Sequence, residues 1–280
     1  MLEGLLSQEI WVRLGAFLGV LALMTTLETI WPCRPRTWLR SQRWPANLAM
    51  IAVDSAVVRA LFPTAAVGIA WWAQEQGLGL FPWLGVPGWL ALVASVLLLD
   101  LTIYLQHVAF HYIPPLWRLH RMHHSDVDVD VTTAGRFHPL EIVISMALKA
   151  VVVIALGAPA AAVLIFEVLL NATSVFNHAN LHLPSALDRV LRWIVVTPDM
   201  HRIHHSVIPR ETNSNFGFNL PWWDRLFRTY RRLPEKGYDG MTTGLETFRH
   251  VEDNRLLALL VQPFKAPPVE NRPNRTRRAD

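Results

Sequence analysis

The sequence predicts an all-α, multi-pass membrane helical bundle with a histidine-rich cytoplasmic cap over a two-metal site. Three observations predict it. The chain is 52% hydrophobic and only 17% charged, where soluble domains carry about a quarter charged residues; mean hydropathy is +0.25. The apolar residues collect in runs that match the roughly 20 residues a spanning helix needs. Eleven of the twelve histidines fall between His107 and His205, where an even scatter would put about four.

The runs justify the helices in order. Residues 10–31 form the first, with Arg13 and Glu28 near its ends, where a long side chain can snorkel to the interface. Residues 47–72 form the second, interrupted by Asp54 and Arg59. For these two runs a buried helix of a soluble bundle is the alternative. Residues 86–112 form the third. Residues 139–178 are about twice the needed length and break at Gly157-Ala158-Pro159. Gly and Pro punctuate helices, so this run reads as a tight helical hairpin. The organisation that follows is 1–112, membrane helices ending in the first histidine pair; 113–264, a histidine-rich region containing the hairpin; and 265–280, a tail rich in Pro, Asn and Arg that is expected to be disordered.

Charge placement orients the bundle. The 32–45 loop carries Arg34, Arg36, Arg40 and Arg43, the 73–85 loop carries no Lys or Arg, and the 113–138 segment carries Arg118, Arg121 and Arg136. Of the 26 Lys and Arg, 14 follow Met200. The positive-inside rule then puts the first and third of these segments, and everything after His178, in the cytoplasm. The N-terminus falls outside, and every histidine motif falls at the cytoplasmic membrane edge. Basic residues that border apolar spans suit a membrane face, not nucleic acid. Cys33 is the only cysteine, which excludes an intrachain disulfide and a thiolate zinc site. Glu3 and Glu9, with no basic n-region and no A-x-A site, argue against a cleaved signal peptide.

The histidines fall into four boxes: His107 and His111 in HVAFH, His120, His123 and His124 in HRMHH, His178 and His182 in HANLH, and His201, His204 and His205 in HRIHH. Helical residues three and four apart face the same way. Each H-x-x-x-H therefore aims two imidazoles at one point, about 6 Å apart along the axis, and each H-x-x-H-H aims three. Ten ligands are too many for one metal; two metals can take about five each and keep open positions. Imidazole suits Fe, Zn, Cu and Ni alike, so a metal transporter and a di-zinc hydrolase are alternatives. There is no H-E-x-x-H and no E-x-x-H, which disfavours a zincin protease and a carboxylate-bridged bundle. Adjacent H-H pairs do not suit bis-histidine haem.

The four boxes in this order, FHPLE at 137–141 and the Asn-rich segment after the last box resemble the fatty acid hydroxylase and sterol desaturase superfamily of membrane di-iron oxygenases. The resemblance runs from His107 to about Trp223. It implies a non-haem centre of two Fe ions, dioxygen as co-substrate, and hydroxylation or desaturation of a lipid, whether fatty acyl, sterol-like, ether lipid or carotenoid. No G-x-G-x-x-G and no C-x-x-C-H occurs, so electrons must come from a separate protein, a cytochrome b5-like or ferredoxin-type donor.

Around the boxes lie residues suited to orient ligands or line a pocket, since a metal-bound histidine usually donates its other N–H. Asp100 sits seven residues before His107, and Glu167, Asn171 and Ser174 lead in helical steps to His178. Asp199, two before His201, orients that box or caps its helix. His138 and Glu141 belong to the pocket or to a helix start. Asn213 and Asn215 hydrogen-bond near the site or make a turn.

Overall fold

The computed structural model describes residues 8–266. Glu3 and nearly all of the tail expected over 265–280 lie outside the described residues. Helices α1 (Glu9–Ile30), α2 (Arg40–Leu61), α3 (Ala65–Glu75), α4 (Gly88–Tyr112), α5 (Pro114–His124), α6 (Pro139–Leu156), α7 (Ala160–His178), α8 (Ser185–Leu191) and α9 (Pro198–His204) build the frame. The remaining helical pieces are turns of a few residues. Among the described residues the only β-pairing is two isolated bridges, Pro32 with Leu181 and Ser206 with Thr243. Five helical stretches are long and apolar enough to cross a membrane: Glu9–Ile30, Arg40–Trp83, Gly88–Tyr112, Pro139–Leu156 and Ala160–His178. Only 6% of the most apolar window in α1 is buried by protein. Trp11, Leu14, Leu18 and Leu23 point outward, an apolar face that water would penalise and lipid accepts.

The second run is not one straight helix. Pro63 has no N–H and crowds the residue before it out of the α region. Phe62 accordingly adopts φ −130°, ψ 71° and closes α2, and α3 begins at Ala65. The start of α2 also lies earlier than the apolar run suggested, because the Gln42 side chain accepts the Leu39 N–H (2.8 Å) and opens the helix at Arg40.

In the hairpin, Gly157 ends α6 in the left-handed region (φ 64°, ψ 44°), a conformation open to glycine at no steric cost. A Cβ there would also lie 2.4 Å from the Leu78 carbonyl oxygen. Pro159 then caps α7. Helices α3, α4, α6 and α7 share a core of Ala66, Ala70, Leu99, Val153, Val163 and Phe166, and α1 lies along α7. The small residues of α3 and α7 let these helices approach closely, the usual device of membrane packing.

At the histidine end, Pro114 and Pro115 stop α4 and start α5 at once, through an extended Ile113. Thr197 caps α9 by accepting the Met200 N–H (3.3 Å). The loop 125–136 is pinned to α2 by a buried ionic network. The Arg43 guanidinium donates to Asp126 at 2.8 and 2.7 Å and to Asp130 at 2.9 Å. Trp44 Nε1 donates to the same Asp130 (3.0 Å). Trp44 thus joins this network.

Candidate metal centre

The ends of α4, α5, α7 and α9 converge on one buried volume. His107 and His111 come from the last turns of α4, His120, His123 and His124 from α5, His178 from the last residue of α7, and His201 and His204 from α9, with His205 at its cap. They form two groups. His107, His111, His120, His124 and His204 make the first, and His123, His178, His201 and His205 the second. Within each group the ligand nitrogens lie within 4.8 Å of one another. All nine side chains are buried.

Each H-x-x-H-H triplet therefore divides between the groups instead of converging on one point. At 3.6 residues per turn, adjacent residues point about 100° apart, so only the i, i+4 pair shares a direction. In α5, His120 and His124 serve the first group and His123 the second; around α9, His201 and His205 serve the second and His204 the first.

Hydrogen bonds fix which nitrogen faces inward. His107 Nδ1 lies 2.7 Å from the Phe216 carbonyl, His178 Nδ1 2.7 Å from the Ser174 carbonyl and His204 Nδ1 2.8 Å from the Ser214 carbonyl. A carbonyl only accepts, so these Nδ1 atoms carry the proton and each Nε2 presents a bare lone pair. His107 Nε2 stands 3.0 Å from His120 Nε2, whose own Nδ1 is 2.7 Å from Glu141 Oε1. His178 Nε2 stands 3.1 Å from His123 Nε2 and 3.0 Å from His201 Nε2. Lone pairs packed this closely are satisfied either by an N–H of the facing ring or by a cation among them.

Protons do not supply that cation. Burial pushes His120 down to about 3. Burial first, then the neighbouring imidazoles, hold His123, His124, His201, His204 and His205 well below the usual histidine range. His111 Nε2, His204 Nε2 and both nitrogens of His124 have no hydrogen-bond partner. Neutral imidazoles with unpartnered inward nitrogens fit transition-metal ions. The partnered Nδ1 atoms of His107, His111, His120, His178 and His204 are what metal-bound histidines show, whereas Nδ1 of His123, His124, His201 and His205 has no partner.

A family model described as fatty acid hydroxylase matches residues 92–229, a stretch that contains all nine converging histidines. The chain belongs to the fatty acid hydroxylase family. It is 28% identical over 257 residues to ornithine lipid hydroxylase OlsE of Rhizobium tropici, covering 89% of this chain and 74% of that protein. It is 29% identical to the alkylglycerol monooxygenase of Xenopus tropicalis over 53% of this chain and 32% of that one, and 27% identical to the human enzyme of the same name over 55% and 33%. The chain thus spans about a third of the length of those monooxygenases. No solved structure matches. Like these relatives, this fatty acid hydroxylase family member is an oxidoreductase of the lipid-hydroxylating type.

His182 of the HANLH box lies outside both groups and is exposed. The helix that would carry it round ends at His178, because Ala179 turns extended (φ −55°, ψ 136°). The next N–H, of Asn180, donates to Glu28 Oε2 of α1 (3.0 Å), and the His182 N–H to the Trp31 carbonyl (3.0 Å). Contacts with α1 thus draw the segment away from the helical path.

The other residues singled out from the sequence separate clearly. Glu141 and Asn213 reach the clustered histidines, at His120 and at His111 Nδ1 (3.2 Å). Asp100 acts at one remove: it accepts from Trp223 Nε1 (2.8 Å), beside the segment that supplies the Phe216 carbonyl. Asn215, at φ 54°, donates to the Met200 and Arg231 carbonyls (2.9 and 3.0 Å) and so ties α9 to a neighbouring loop. His138 caps α6 through Leu140 N–H (3.2 Å) and meets the Leu260 carbonyl. Asp199 pairs with Arg202, leaving the cap to Thr197. Glu167 pairs with Lys149 (2.7 Å) and Arg13 (3.2 Å). Asn171 lines a cavity below the site. Sequence reasoning missed the backbone acceptors, which carry no side-chain signal. It also missed Asp224, which receives the Phe216 and Gly217 N–H groups (2.8 and 2.9 Å) and fixes that backbone.

Proposed function

We propose that the nine histidines hold two iron ions, and that the protein uses dioxygen and external electrons to hydroxylate a lipid C–H bond. The observation that carries this reading is the two adjoining groups of histidines beside an apolar-walled cavity of about 240 Å³, which the first group reaches through His107 and His120 and which Phe110, Phe137, Leu170 and Phe218 line with them. Bound there, an iron pair would supply the activation of dioxygen. The protein's own groups do the rest. Glu141 accepts the outer proton of His120, the Phe216, Ser174 and Ser214 carbonyls orient three more rings, and the aromatic walls exclude water from the reacting carbon. The named relatives act on an ornithine lipid and on alkylglycerols, which supports an amphiphile with a polar head as substrate.

Hydroxylation by dioxygen returns the second oxygen as water and consumes two electrons and two protons. The chain carries neither a G-x-G-x-x-G fingerprint nor a C-x-x-C-H motif, which supports a separate cytochrome b5-like or ferredoxin-type protein as the electron donor. A groove of about 550 Å³ lined by Arg210, Arg228, Arg231 and Arg232 includes Asn213, the partner of His111. An acidic donor docked there lies next to a ligand of the first group. Its reduction rate is expected to fall steeply as salt screens the arginines, while reduction by dithionite barely changes. A protein-donor rate indifferent to salt would move the docking site elsewhere. The arginine-rich segments on this side favour the cytoplasmic face.

The reading is tested by incubating the iron-loaded protein in membranes with isotopically heavy dioxygen and reductant, then analysing the lipids by mass spectrometry. A lipid that gains one heavy oxygen, only when dioxygen and reductant are both present, is the expected result. A lipid change without dioxygen would instead favour a hydrolase.

A further inference from the structure

Below the histidines, the cavity continues between four helices into an outer chamber of about 480 Å³. One face of α2 lines it, with Ile51, Asp54, Ser55 and Val58 at the i, i+3, i+4, i+7 spacing of a single helical stripe. Ser145 of α6 and Asn171 of α7 face them, and with Ile51, Asp54 and Ser55 they border the inner cavity as well, so the two spaces share a wall.

The charged groups of the outer chamber mostly satisfy one another. Arg13 pairs with Glu9 and Glu167 (both 3.2 Å), and Lys149 pairs with Glu167 (2.7 Å). Asp54 is different. Its residue is 8% exposed, its Oδ1 has no hydrogen-bond partner, and among the described residues no basic side chain lies within 4.0 Å of it. Gln106 Oε1, on the inner cavity's wall one residue before His107, is also buried and unpartnered. Leaving such acceptors unmade is costly, and an ionisable group inside a span is a functional site by default. Two orphaned acceptors, one a carboxyl, ask for a ligand that donates, and a carboxylate favours a cationic donor.

We infer that Asp54, assisted by Gln106, binds the ammonium of an amine-bearing lipid headgroup, with the lipid's chain in the outer chamber. This rests on the reading of the centre as a lipid oxygenase and adds its regiochemistry. A headgroup held at Asp54, on the wall shared with His107 and His120, presents carbons near the amine to the metals instead of the end of the chain.

The test uses a long-chain primary amine and the alcohol of the same chain length. Each displaces a fluorescent lipid from detergent-purified, metal-loaded protein, without reductant or dioxygen. The wild type is expected to bind the amine about ten- to a hundredfold more tightly, the range of a charge-assisted hydrogen bond. Asp54→Asn should bring the ratio close to one, and Asp54→Glu should keep most of it. Equal binding of amine and alcohol by the wild type overturns the proposal, whatever the variants do. So does an unchanged ratio in an Asp54→Asn protein that retains its metals. Binding is read without turnover, so an amine lipid that binds but is never oxidised counts against the oxygenase reading and leaves this site standing.

Discussion

Alanine at His123 is expected to empty the second metal position, and alanine at His204 to weaken the first. The second group has four imidazoles and the first has five, so the same deletion leaves three ligands in one case and four in the other. Wild-type protein should hold about two irons per chain, the number that nine imidazoles satisfy with positions left open. His123→Ala should fall to about one, and His204→Ala should lose iron more readily to a chelator. Both should lose oxygenation of lipid, because neither position works alone. Glu141→Gln replaces the carboxyl group behind His120 without touching a ligand nitrogen and should cost about 10–100-fold in metal affinity or activity, the usual penalty for the partner of a ligating histidine. His182→Ala is the internal control. The side chain is exposed and outside both groups, so iron content should match wild type. Metal analysis of the four variants side by side checks the set. Iron loss in His182→Ala equal to that in His204→Ala would show that the second histidine of the third box closes onto the site in solution, and the two-group arrangement would have to be redrawn.

That contrast shows which parts of the site a sequence can display. The boxes were legible because their spacing is local: a helix puts His107 beside His111 whatever surrounds it. The division of each triplet follows from the same geometry, since His123 and His124 differ by about 100° of helix rotation. The fate of His182 was not legible. It depends on Glu28, which is 152 residues from Asn180 in sequence and captures the Asn180 N–H. The spans were visible because lipid demands apolar composition over a fixed length, yet the break at Pro63 needed the proline to be weighed against hydropathy. Backbone acceptors such as the Phe216 carbonyl were invisible, because any residue type supplies the same oxygen. Arg43 was read only as one of four arginines that orient the 32–45 loop, when its partners lie more than 80 residues away.

Arg43→Met is expected to be the most destabilising single change outside the metal ligands. The guanidinium is fully buried and neutralises Asp126 and Asp130 at once. Burial alone would push Asp126 up; Arg43 and then Arg136 outweigh it and hold the carboxyl at about 2. Arg136 remains 3.8 Å from Asp126 in the variant, but its own donors are engaged with Met122 O, Ser125 and Asn254. Removing one partner of a buried pair typically costs about 3–5 kcal/mol, because the remaining charge stays desolvated. In the wild type, a depressed Asp126 contributes stability that is present above the ordinary Asp range and is lost as pH falls towards 2. In the variant the carboxylates are a liability that protonation relieves, so the gap to wild type should be widest at neutral pH and narrow on acidification. Thermal melting in detergent across pH reads both effects. The damage should reach the metals too, since the 125–136 loop leads directly into Phe137, which stacks on His123 at 4.4 Å with the rings 10° from parallel. A variant that melts with wild type at neutral pH would mean that the loop is held by its other hydrogen bonds, those of Thr132 and Thr133 to Asp130 and Asp126, and that the ion pair adds nothing to them.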